Sequence, residues 1–217
     1  MNFINKCIGV IALTTLTASA VTTVTVSNLQ SAGADDSAIL DNAGNIILNG
    51  SGSVQVGYFD TFMTQSDFSS STINSLLGDF ISFSGASTNF SNSFGVDGFF
   101  TSEFTDTITP GDDIIGETLF TLVGNNSTIT GSTEFLVFRH DGVLFEEEVA
   151  GVGVASGLVQ SGQGTLLLGA EGAPVTVAGT QVGSFTLTAL PVPEPSSTLL
   201  IGLAGIGMTL RRRRSVN

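Results

Sequence analysis

One histidine, one cysteine and nineteen carboxylates carry most of the chemical potential of this 217-residue chain, and their spacing decides what reactions it could run. A Ser-His-Asp triad would have to use His140, because there is no other imidazole. His140 is followed by Asp141-Gly142, a dipeptide that reads as a hairpin turn, so the ring is expected on the surface. The sequence holds no G-x-S-x-G elbow, no G-x-G-x-x-G and no P-loop. A single Cys7 allows neither an intrachain disulfide nor a cysteine-based zinc site. Glycoside hydrolysis needs two carboxyls about 5 to 10 Å apart across a sugar site. Such sites usually carry Trp or Tyr platforms, and this chain has no Trp and one tyrosine, Tyr58. Calcium suits the acids better, since it takes hard oxygen ligands. Asp35-Asp36, Asp112-Asp113 after Gly111, and Glu146-Glu147-Glu148 are the clusters, with Asp112 and Asp113 the first choice. No EF-hand loop pattern is present. Strand alternation would point Glu147 away from Glu146 and Glu148, so those three cannot share one ion. The plainer reading of the acids is solubility.

The charges are sharply segregated. All six cations are Lys6, Arg139 and the run Arg211, Arg212, Arg213 and Arg214, whereas from Asp35 to Leu190 eighteen acids face one arginine, a net of −17. Clustered Lys and Arg, which phosphate binding requires, are missing from the body, and nucleic acid is excluded as a partner. The basic residues belong to the two ends, as expected of targeting segments that should be set aside before fold reasoning.

Met1 to Lys6 is a short basic region, Cys7 to Leu16 an apolar one, and Ala18-Ser19-Ala20 a small-residue cleavage pattern. That order is the signature of a secretory signal peptide over residues 1–20. Ala32-Gly33-Ala34 is a second such pattern and gives an alternative end at residue 34. The apolar run falls short of the roughly 20 residues a spanning helix needs.

At the other end, Pro193-Glu194-Pro195 is followed by an apolar stretch from Thr198 to Leu210 and then by Arg211 to Arg214. As a helix, residues 198–210 would be about 20 Å long, short for a bilayer core, though the arginines can snorkel and would stay on the cytoplasmic side. The three parts, in this order and at the extreme C-terminus, resemble the PEP-CTERM sorting signal over residues 191–217. The resemblance implies an exported bacterial protein recognised by exosortase, a membrane-embedded cysteine protease, in an exopolysaccharide-producing organism. It implies a precursor held in the inner membrane by its C-terminal helix and then delivered to the cell surface or extracellular matrix. Proteins that share this tail differ widely in their bodies, so it gives an address and leaves the activity open.

Between the signals, residues 35–190 form one domain, dense in Gly, Ser, Thr and Asn. Ser53 to Phe59 alternates as a strand does. Thr118 to Val123, Glu134 to Arg139, Gly151 to Gln160, Gly164 to Leu168 and Thr176 to Thr188 are further strands, and Glu134 to Val149 is predicted as a hairpin turning at Asp141-Gly142. Ile73, Leu76, Leu77, Phe80 and Ile81 recur at helical spacing, which predicts a single short helix over 71–81 capped by Ser71 or Thr72. Ser82 to Asp97 reads as a long loop over the core. Short strands with Gly-rich turns predict a mainly β fold, a β-sandwich or jelly-roll-like domain with one short helix. The sequence of a Gly57-Tyr58-Phe59 strand end, a short helix, and Phe135 to Phe138 leading to Glu146 to Glu148 resembles a domain of exported PEP-CTERM proteins of uncharacterised function.

These readings converge on a non-catalytic surface or matrix protein, associated with exopolysaccharide or biofilm and needing no cofactor unless calcium binds. Its expected partners are the secretion machinery, exosortase, the membrane before processing, and extracellular polysaccharide. A carbohydrate-binding module is the alternative, and an extracellular hydrolase the second alternative.

Overall fold

The computed structural model describes residues 20–30, 36–61, 63–109, 111–146 and 153–191. The strands are β1 (Ala20–Ser27), β2 (Ser37–Leu40), β3 (Ser53–Phe59), β4 (Phe80–Ser82), β5 (Thr88–Asn89), β6 (Thr101–Ile108), β7 (Thr118–Gly124), β8 (Glu134–Leu144), β9 (Gly153–Leu158), β10 (Thr165–Leu168), β11 (Ala170–Val177), β12 (Thr180–Thr186) and β13 (Thr188–Ala189). Two short helices, α1 (Gln65–Ser69) and α2 (Ile73–Asp79), lie between β3 and β4. The expected mainly β fold is present. The expected lone helix over 71–81 is instead a pair, and its C-terminal residues change state: Phe80 caps α2 in an extended conformation and starts β4. Thr72 caps the start of α2 as predicted, its side chain accepting from Ser75 N–H.

The strands divide among three sheets. A seven-stranded sheet runs β10-β8-β7-β3-β4, with β13 added to β8 and β5 to β3; two three-stranded sheets run β6-β1-β9 and β11-β12-β2. Period-two alternation gives the large sheet two apolar faces. Val54, Val56 and Tyr58 of β3, Leu119 and Val123 of β7, and Leu136 and Phe138 of β8 join one core. Val24 and Val26 of β1, Ile39 of β2, Phe104 and Ile108 of β6, and Phe185 of β12 join the same core. The two small sheets therefore share one core with one face of the large sheet.

The residues one step out of phase, Phe59, Phe120, Leu122, Phe135 and Val137, pack in a second core with Phe68 of α1 and Ile73 and Leu76 of α2. Phe59 sits at its middle, edge-on to Phe68, Phe80 and Phe120 with centroids 5.2, 5.3 and 5.1 Å away. Such pairs add about 0.5–1.5 kcal/mol beyond the area they bury. The helices thus cover the other face of the large sheet.

Three expectations are corrected. The body does not start at residue 35: β1 is the middle strand of its sheet, antiparallel to β6 and parallel to β9. The hairpin expected over Glu134 to Val149 does not turn at Asp141-Gly142. β8 runs on through Asp141-Gly142, and Leu144 still pairs with Thr118 of β7. Within Ser82 to Asp97, β5 pairs with the start of β3, and Phe83 and Phe90 are buried, while the rest is loop. The tight turn that the sequence places at Asp141-Gly142 occurs elsewhere, at Ala178-Gly179 between β11 and β12. Both residues there have positive φ, 49° and 86°, as a two-residue hairpin loop of the primed type requires.

Candidate functional site

The one large irregularity of the central pairing builds the candidate site. Phe120 of β7 pairs with Arg139 of β8, and the next pair is Thr118 with Leu144. Leu119 alone therefore faces the four residues His140, Asp141, Gly142 and Val143, and β8 bulges there. Gly142 has φ +79°, a conformation that side chains oppose, so the Asp-Gly dipeptide makes a bulge where a turn was expected.

The bulge folds Asp141 back over Arg139. Arg139 Nε donates to Asp141 Oδ1 at 2.7 Å, and its Nη2 donates to Thr165 Oγ1 at 3.2 Å. Thr165 Oγ1 donates to Asp141 Oδ2 at 2.6 Å, closing a ring of three side chains across β8 and β10. The Thr165 hydrogen bond, with Arg139 adding to it against partial burial, holds the Asp141 carboxyl below the usual carboxylate range. Asp141 is half exposed, so this ion pair orders the site more than it stabilises the fold.

A cleft of about 300 Å³ opens over the bulge, lined by Asp60, Glu117, Arg139 and Asp141, with Phe59 and Phe120 in its floor. Three carboxylates thus surround the single cation of the body, an arrangement able to accept hydrogen bonds from hydroxyls and to donate from a guanidinium. The two phenylalanines are 4% and 5% exposed and offer no flat stacking platform.

His140, next to these residues in sequence, faces the other way. It is 1% exposed, with its ring edge-on to Phe138 at 5.1 Å and its Nε2 2.7 Å from Thr121 Oγ1. The bulge places it inside the core, which corrects the expectation of an exposed imidazole. Its Nδ1 has no hydrogen-bond partner among the described residues. Burial pushes its pKa down to about 4, against a smaller opposing pull from Asp141. Gly157 of β9 packs so closely on the ring that a Cβ there would collide with it. Thr121 is itself fully buried, so this hydroxyl–imidazole pair has no access to a substrate.

Asp112 lies in a different cleft, also about 300 Å³, together with Asp106, Asp113 and Tyr58. Both Asp112 oxygens are engaged locally: Oδ2 accepts from Thr109 N–H and Oδ1 from Thr109 Oγ1, each at 2.7 Å. These bonds, the backbone one first, hold its carboxyl below the ordinary range. Burial raises the Tyr58 hydroxyl pKa, and the charges of Asp113, Asp60 and Glu117 raise it further. Among the described residues no group of three or more His, Cys, Asp or Glu side chains is placed to hold a metal ion. Glu146 is described, whereas Glu147 and Glu148 lie outside the described residues, as does Asp35.

Thr165 and Glu117 were not marked by any sequence motif. They reach the site through the β10–β8 and β7–β8 pairings, which residue spacing does not reveal. Arg139 was legible as the body's only cation.

The chain leaves the body at β13, where Thr188 and Ala189 pair with Phe135 and Glu134 of β8. Leu190 is buried in the second core and Pro191 is exposed. Pro193, Glu194 and Pro195, residues 198–210, and Arg211 to Arg214 lie outside the described residues, as do residues 1–19. Among the described residues no helix is long and apolar enough to cross a membrane. The family model of the PEP-CTERM protein-sorting motif matches residues 191–214, starting one residue after the last buried position among the described residues. No curated protein and no solved structure matches the chain.

Proposed function

We propose that this chain, an exported and exosortase-sorted protein by its tail, is a non-catalytic component of the cell surface or extracellular matrix, associated with exopolysaccharide. The observation that carries the reading is the sorting motif at residues 191–214, joined directly to an acidic β body. The sealed environment of His140 supports a body without a Ser-His-Asp triad, because a general base must reach the proton it abstracts. In the precursor, residues 198–210 hold the chain in the inner membrane, with Arg211 to Arg214 on the cytoplasmic side. A charge at the bilayer centre costs at least ~2.5 kcal/mol, so four arginines cannot readily follow the body outward. A proline disfavours the helical region in the residue before it, which suits a segment that a protease must grip.

Replacing Pro193-Glu194-Pro195 with alanines is expected to leave full-length protein in the membrane fraction of a host with an exosortase. Immunoblotting of fractions checks this, and trimming at the wild-type rate would refute the sorting assignment.

The cleft at the β8 bulge favours one further reading, a carbohydrate-binding module. Carboxylates and a guanidinium around a cleft of about 300 Å³ suit a neutral, hydroxyl-rich oligosaccharide. A glycan array probed with the exported protein is expected to retain defined neutral oligosaccharides, and Arg139→Ala to lose at least tenfold in affinity, about 1.4 kcal/mol. Equal retention by both proteins would place any glycan site elsewhere. Calcium at Asp112 and Asp113 would show as a shift of the melting temperature on adding the ion, lost in Asp113→Asn.

A further inference from the structure

The sorting signal starts without a spacer. Leu190 is 7% exposed and its N–H donates to Thr133 O at 3.1 Å, while Thr188 and Ala189 are paired to β8. Only Pro191 and Val192 separate this anchored residue from Pro193. At no more than about 3.6 Å per residue, Pro193 can stand at most about 11 Å from Leu190. A protease draws several extended residues into its cleft, and a body of this size, with a radius of gyration of about 15 Å, cannot follow them in. With β13 closed, the chain between body and motif is too short to enter an enzyme embedded in the membrane.

We propose that β13 and Leu190 form a strap that must open before exosortase can cut, so that the body governs its own processing. The proposal rests on the sorting reading above. Opening frees Thr188, Ala189 and Leu190 and adds about 11 Å of reach, doubling the tether. It stops at Leu187, which is 1% exposed and whose N–H donates to Leu40 O at 2.9 Å. The strap is a two-residue strand paired to the very start of β8. Short terminal pairings of this kind open at a small fraction of the cost of global unfolding.

The test is a pulse-chase of the full chain in an exosortase-bearing host, comparing three variants with the wild type. Six Gly/Ser residues inserted between Leu190 and Pro191 leave residues 191–214 intact and supply the missing reach. Processing is expected to accelerate about tenfold, the factor that corresponds to an opening cost of about 1.4 kcal/mol. Ala189→Cys with Glu134→Cys, at directly paired positions, locks the strap when oxidised. That variant is expected to be cut about tenfold more slowly and to recover the wild-type rate on reduction, its reduced form serving as its own folding control. A wild-type rate in the insertion variant or in the oxidised pair overturns the strap. The third variant carries alanines at Pro193-Glu194-Pro195. If it is retained while the insertion has no effect, the strap alone is wrong. If it is cut normally, the sorting reading falls and the strap with it.

Discussion

A mature chain that begins at Val21 is expected to fold, and one that begins at Asp35 is expected not to. The reason is β1. Its eight residues pair with β6 from Ala20↔Ile108 to Ser27↔Thr101, and six of them pair with β9 on the other side. Val24 and Val26 are fully buried in the main core. Asn28 follows, also fully buried, with Nδ2 donating to Ser37 O and Gly98 O at 2.8 Å each and Oδ1 accepting from Phe100 N–H at 2.7 Å. Two buried valines are worth about 3–6 kcal/mol against a total stability of about 5–15 kcal/mol. Cutting at Ala34 would also leave the facing edges of β6 and β9 without partners and strip the Asn28 side-chain bonds from three backbone groups, each costly to bury unpaired. N-terminal sequencing of the exported protein is therefore expected to read from Val21, after the Ala18-Ser19-Ala20 pattern. Recombinant chains starting at Val21 and at Asp35, compared by circular dichroism and thermal melting, supply the second check. An Asp35 chain melting cooperatively at the same temperature would show that β1 is dispensable.

The second large effect is acid sensitivity centred on one residue. In the unfolded chain His140 takes up a proton near its ordinary pKa of 6.5, whereas in the folded protein burial lowers that value to about 4. Between these limits the unfolded state binds more protons, so stability falls as the pH is lowered through this window, by about 3 kcal/mol in all. Asp41, Asp67, Asp112 and Asp141 shift the same way from a reference of 3.8, so their stabilisation is fully present about a unit above that value and is lost as the pH falls through it. The upper part of the window, from pH 6.5 to about 5, therefore reports His140. Urea denaturation across this range should show the loss in the wild type and a flat profile in His140→Gln, whatever that variant's absolute stability. An equally steep profile in the variant would assign the loss to another group.

The strands whose side chains alternate cleanly were legible from sequence. Ser53 to Phe59 sends Val54, Val56 and Tyr58 to one core and Phe59 to the other, and its predicted bounds match β3. Ile73, Leu76 and Leu77 marked α2 because their spacing is helical. Phe80 kept the same phase only by passing into β4, where it packs in the same core. α1 has one apolar contact residue, Phe68, in five and offers no period to read. β1 lies against a signal-like segment, and its threonines read as a poor helix when Thr23 and Thr25 are the outward positions of a strand and Thr22 is buried with the valines.

The Asp141-Gly142 pair shows how a correct local reading can give a wrong topology. Gly142 does adopt the positive φ that such a dipeptide favours, but whether the chain then reverses or continues depends on what β7 offers beyond it. The cleft followed from that choice: Asp60 just after β3, Glu117 just before β7 and Asp141 in the bulge of β8 meet only through the pairing of β3, β7 and β8.

The order in which strands find their neighbours sets a schedule for export. β1 is flanked by β6 and β9, and β2 pairs in parallel with β12, so the earliest strands wait for the latest ones. Contacts this distant in sequence close large loops and form slowly. A chain threading outward N-terminus first presents β1 long before β9 exists to receive it. It stays open through most of its passage, which is the state a narrow secretion channel needs. β12 emerges only a few residues ahead of the sorting motif. The last sheet therefore cannot close before the stretch of chain that adjoins the motif is present, so that completion of the fold and exposure of the sorting motif fall to the same few residues.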